Sequence, residues 1–88
     1  MLIDFILGER KYIQFEIKSS INQTVIITSA TWKLLKDDEV VDSGDCEITE
    51  GNTLDVLLFP PGIGEFTLEV EYEIPPEVRK ARCNINVY

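Results

Sequence analysis

Glu65-Phe66-Thr67-Leu68-Glu69-Val70-Glu71-Tyr72-Glu73-Ile74 alternates between polar and apolar side chains without a miss. Successive side chains of an extended chain point to opposite sides, so Phe66, Leu68, Val70, Tyr72 and Ile74 share one face. Glu65, Thr67, Glu69, Glu71 and Glu73 share the other. The pattern predicts a half-buried antiparallel strand with one face on a core and the other in water. Before it, Pro60-Pro61-Gly62-Ile63-Gly64 cannot continue a ladder, because two prolines lack donors and two glycines admit positive φ. That segment reads as a corner. After it, Pro75-Pro76-Glu77 reads as a turn into Val78 to Tyr88, whose inward set is Ala81, Cys83, Ile85 and Val87.

Working upstream, the same code divides the chain into short extended pieces. Leu2 to Leu7 is apolar and ends in a turn at Gly8-Glu9-Arg10. In Lys11 to Lys18, Ile13, Phe15 and Ile17 share a face opposite Gln14, Glu16 and Lys18. Ser19-Ser20 and Asn22-Gln23 read as loop, and Thr24 to Thr28 as a short strand or an extended connector. Ala30 to Leu34 turns Trp32 and Leu34 inward. Asp37-Asp38-Glu39 then turns the chain into Val40 to Gly44, as a hairpin with roughly 3–5 loop residues. Asp45 to Glu50 is a further strand, and Glu50-Gly51-Asn52 returns the chain into Thr53 to Phe59. No apolar repeat of helical period appears. Turns spaced roughly 8–12 residues apart belong to a sandwich or barrel. The expected fold is an all-β, antiparallel Ig-like sandwich of seven or eight strands, one domain over residues 1–88. Trp32, Phe15, Leu68, Val70, Tyr72 and Ile85 are its expected central packing residues.

Eighty-eight residues with 44% hydrophobic content supply one packed core and leave no room for a second. Sixteen acidic against eight basic residues give a net charge of −8, a field that repels phosphate backbones and anionic lipid. Nucleic acid and membrane surfaces are therefore not expected partners; a protein partner or self-association is. The opening Met1 to Leu7 carries Asp4 and no basic leader, unlike a secretory signal, and no apolar run has membrane-spanning length. With Met1 as a native start, the expected location is cytoplasmic. Cys46 and Cys83 lack the spacing of zinc or redox sites, and the chain has no histidine. Two free thiols, no metal and no cofactor are expected.

Three constellations carry possible chemistry. Glu69, Glu71 and Glu73 are the raw material of glycosidase catalysis, but same-face neighbours on a strand stand roughly 7 Å apart in water, and a solvated face accounts for them. Without histidine or a phosphate loop, no enzyme is expected. Asp37, Asp38, Glu39, Asp42 and Asp45 concentrate oxygen ligands suited to calcium, without the EF-hand register. Turn formation and edge charge explain them more economically. Leu35, Leu57 and Phe59 are apolar where alternation wants polar residues. Either they cover a rim of the sandwich or lie beneath a loop, or they form an exposed face that another chain covers, and they are the candidate interaction face.

A Trp on the third strand, a Pro-Gly corner feeding a long alternating strand and a closing strand after a hairpin resemble the immunoglobulin-like or fibronectin type III sandwich. The corner tyrosine of that family corresponds to Phe66 here, which has no hydroxyl. Cys46 and Cys83 do not match its inter-sheet disulfide, which joins the second and sixth strands. The order Gly8 to Ile17, Ile27 to Leu34, an acidic hairpin and Val40-Val41-Asp42-Ser43-Gly44 resembles small Ig-like proteins of phages and prophages of Gram-positive bacteria. Some of these are similar to N-terminal domains of baseplate upper proteins. The resemblance implies a non-enzymatic structural or protein-interaction module, a tail or baseplate component found in the virion. The alternative is an adhesin-type Ig-like domain of a bacterial surface protein that binds carbohydrate or depends on calcium.

Overall fold

The structure, a computed structural model, describes residues 1–18 and 25–88. The loop expected at Ser19-Ser20 and Asn22-Gln23 lies outside them. Eight strands follow one another: β1 Leu2–Phe5, β2 Lys11–Glu16, β3 Ser29–Lys36, β4 Glu39–Asp45, β5 Glu47–Thr49, β6 Thr53–Leu58, β7 Gly64–Ile74 and β8 Glu77–Val87. There is no helix among the described residues, and hence none long and apolar enough to cross a membrane. Val25 to Thr28 is an extended connector rather than a strand, held by Ile27 N–H to Gly51 O and Thr28 N–H to Glu73 O, both 2.9 Å.

The strands form two sheets, ordered β1-β8-β7-β3-β4 and β2-β6-β5. β1 pairs with β8 in parallel; every other pairing is antiparallel. The molecule is 40 × 21 × 20 Å. Its long dimension is set by the 11-residue β7 and β8, each roughly 37 Å at about 3.4 Å per residue.

The core lies between the sheets. Leu34, Leu68, Val70 and Ile85 from the larger sheet meet Leu54, Val56 and Leu58 from the smaller, all 0% exposed. Trp32 and Tyr72 are buried beside them, as alternation requires, but Phe15 is only half-buried at the margin. Its strand is an edge strand, so only one flank is covered. Trp32 pairs across the sheet with Gly44, and a Cβ there would stand 3.0 Å from the indole Nε1. The glycine thus makes room for the ring.

Turn chemistry differs from expectation in two places. The β3–β4 hairpin closes with two residues, Asp37 (φ +51°) and Asp38 (φ +65°), rather than three to five. Consecutive left-handed residues match the right-handed twist of the flanking strands, and Asp tolerates that conformation. The strand expected over Asp45 to Glu50 is broken at Cys46, whose N–H bonds Ala30 O at 3.0 Å as the chain leaves one sheet for the other. Only Glu47–Thr49 pairs in the second sheet.

Candidate functional site

On the smaller sheet, Tyr12 lies directly opposite Leu57, and both point away from the core at 65% and 43% exposure. Phe59, two residues beyond Leu57, is 53% exposed. The neighbouring row, Gln14–Asp55–Glu47, is polar, with Gln14 Nε2 donating to Asp55 Oδ1 at 3.0 Å. An apolar cluster of Tyr12, Leu57 and Phe59 therefore occupies one end of an otherwise polar face. Leu35 does not belong to it: it stands half-buried on β3, on the outer face of the other sheet. Tyr12 was legible only by parity, since it shares its register with Gln14 and Glu16 rather than with Ile13 and Phe15.

The outer face of the larger sheet is less solvated than the glutamates suggest. Glu69 is 7% exposed, with Arg82 and Lys80 of β8 against its carboxylate. Arg82 Nε donates to its Oε2 at 2.8 Å, and Lys80 Nζ lies 3.7 Å from its Oε1. Its environment raises the pKa of the carboxyl by burial and lowers it through the Arg82 hydrogen bond and the charges of Arg82, Lys80 and Lys33. The balance lies below the ordinary value of 4.5. A carboxylate so held is a fixed anion, not a proton donor at neutral pH. Beside it the cross-strand row Leu2–Asn84–Thr67–Leu35 is built of shorter side chains. A trough of about 600 Å³ runs there, bounded by Glu69 and Arg82 on one side and by Glu65, Asp37 and Asp38 on the other.

Among the described residues, no three His, Cys, Asp or Glu side chains converge as metal ligands, so Asp37, Asp38, Glu39, Asp42 and Asp45 spread along the hairpin instead of closing on a point. Asp42 Oδ1 accepts its neighbour's Ser43 N–H at 2.9 Å. Cys83 is buried under the larger sheet, and Cys46 is half-buried at the sheet crossing; both are free. Burial, aided by the Asp45 charge, pushes the Cys46 thiol up to about 11, and burial raises that of Cys83.

No family model and no curated protein matches the chain. Among solved structures, it is similar to the crystal structure of an engineered protein from the Northeast Structural Genomics Consortium, at a TM-score of 0.78 and 9% identity. The match covers 98% of this chain and 18% of that one. At that identity the likeness is one of fold: a small all-β arrangement in two sheets.

Proposed function

We propose that the protein is a non-enzymatic interaction module that docks through the outer face of its smaller sheet, as a structural component of a phage or prophage particle. The observation that carries the docking is the Tyr12–Leu57–Phe59 cluster, three large apolar side chains left in water on one face. Contiguous exposed apolar surface of this kind marks contact sites in soluble proteins. The particle assignment rests on the sequence resemblance to small phage Ig-like proteins. Docking through a rigid strand face also suits a part that must hold a fixed orientation in an assembly. Leu57→Glu with Phe59→Glu tests it. The expected result is an unchanged thermal melt and loss of co-sedimentation with tail or baseplate assemblies produced alongside it. A double variant that does not fold would return these side chains to the core and end the proposal. A second reading, a carbohydrate-binding adhesin-type domain, is favoured by the trough over Thr67 and Asn84, whose hydroxyl and amide are suited to sugar hydroxyls.

A further inference from the structure

The two edges of the larger sheet are closed, and among the described residues one long edge of the smaller sheet is open. At β1, Asn84 N–H and Tyr88 N–H bond Met1 O and Phe5 O, so the odd residues face β8 and the even ones face outward. Two outward groups are occupied: Ile6 N–H donates to Glu9 Oε1 at 2.6 Å, and Asp4 O accepts Lys11 Nζ at 2.7 Å. At the other edge β4 carries a bulge at Val41, between the Leu34↔Asp42 and Leu35↔Val40 pairs, and Asp42 occupies Ser43 N–H. Bulges and side-chain caps of this kind prevent strand addition. β5 has only three residues.

β2 has six residues and, among the described residues, no such closure. Ile17 N–H bonds Asn52 O at 2.9 Å in line with the β2–β6 register, so Ile17, Phe15, Ile13 and Lys11 spend their backbone groups on β6. Tyr12, Gln14 and Glu16 then direct N–H and C=O away from the sheet, and among the described residues nothing bonds them. All three are exposed.

We infer that β2 pairs antiparallel with β2 of a second copy, about a two-fold axis at Ile13. Only outward-facing residues can exchange hydrogen bonds across that axis, which pairs Arg10 with the second copy's Glu16 and Tyr12 with its Gln14. The register thereby sets a cation against an anion twice, at the two ends of the paired strands. Shifted by two residues, the same edges place Arg10 against Gln14 or Tyr12 against Glu16, and the charge pairing is lost. Opposite charges directly across an antiparallel pair favour it, so charge selects this register. Because the contact is isologous it closes at two copies, giving a continuous sheet β5-β6-β2-β2-β6-β5 instead of a fibre. It uses the edge of the smaller sheet, not the Tyr12–Leu57–Phe59 face, and so stands apart from the docking proposed above.

The test is the solution mass of the full chain by sedimentation, with amide exchange read by NMR. The expected result is twice the 10.0 kDa chain mass at high concentration, with concentration-dependent protection of the Tyr12, Gln14 and Glu16 amides. Arg10→Glu changes the net charge from −8 to −10, and Glu16→Arg changes it to −6. Overall repulsion alone would weaken association in the first and strengthen it in the second; the register requires a drop of about tenfold, roughly 1.4 kcal/mol, in both. The double reversal, again at −8, restores pairing. Gln14→Pro removes an outward donor that β6 does not use and abolishes the dimer. A single 10.0 kDa species at every concentration up to about 1 mM overturns the inference. So does a dimer in which those three amides exchange as freely as in the monomer, a measurement that needs no variant to fold. Leu57→Ser with Phe59→Ser, which keeps the net charge at −8 and sets no carboxylate beside Arg10, removes the apolar face and leaves this dimer in place, so edge pairing and face docking fail separately.

Discussion

Trp32 shows how one residue spends its burial. Its indole occupies the space over Gly44, and both neighbours on its own face, Ala30 and Leu34, are buried with it. Truncation leaves a cavity that a rigid two-sheet core refills only in part, so Trp32→Ala is expected to cost about 3–5 kcal/mol. Gly44→Ala drives a methyl into the ring and is expected to cost about 1–3 kcal/mol by overpacking. Chemical denaturation checks both; a loss below about 1 kcal/mol for Trp32→Ala would contradict the burial. The thiols follow the same logic of access. Cys46, half-buried, is expected to react with a thiol reagent before Cys83, and slowly at neutral pH because burial and Asp45 hold its pKa near 11. Equal, fast labelling of both in the native protein would reverse that ordering.

At the scale of elements, what distinguishes the strands is how their edges are managed. Glu9 and Lys11 form a latch over β1: the two are 3.5 Å apart, and the Lys11 ammonium also stands 4.4 Å from the centre of the Phe5 ring. Both side chains are partly exposed, so their mutual attraction adds little to stability. Their consequence is the occupation of backbone groups that would otherwise recruit a strand. In Glu9→Ala the Ile6 amide is expected to lose protection from hydrogen exchange. The adjacent Leu7 amide, bonded to Tyr88 O at 2.9 Å, stays protected. Unchanged exchange at Ile6 would mean that the carboxylate does not close this edge. The contrast with β2, whose outward groups carry no such cover among the described residues, is the basis for assigning the second copy to that edge.

For the whole molecule, the carboxylates decide the response to acid. The Ile6 N–H hydrogen bond, then the nearby Lys11, hold the Glu9 carboxyl below 4.5. Arg82, Lys80 and Lys33 overcome burial to do the same for Glu69. A carboxyl whose folded pKa is depressed binds protons less readily folded than unfolded. Its contribution is complete above 4.5 and is lost as pH falls through the folded value. Stability is therefore expected to decline below about pH 4.5, and Glu69→Gln is expected to flatten that decline. Denaturant midpoints measured down that range check it; a variant as acid-sensitive as the native chain would exclude Glu69 as a contributor.

What the chain determined by itself is local. The alternation in Glu65 to Ile74, the turn residues at Asp37-Asp38 and the Pro-Gly corner define strands and inward faces, because side-chain direction in an extended backbone depends only on parity. The seven or eight strands expected, and the core faces of β2, β3, β6, β7 and β8, follow from that rule, whereas Phe5 and Ile27 joined the core without a parity signal. The tertiary structure decided which strands share a sheet, since pairing brings together residues far apart in sequence, and no local pattern encodes it. Leu35 and Leu57 break alternation in the same way, yet β3 and β6 lie in different sheets, so one apolar set became two surfaces. Tyr12 joined Leu57 only because β2 and β6 align in register, and Glu69 was drawn out of water only because β8 places Arg82 directly across from it. Parity tells a side chain which way to point; pairing decides what it meets.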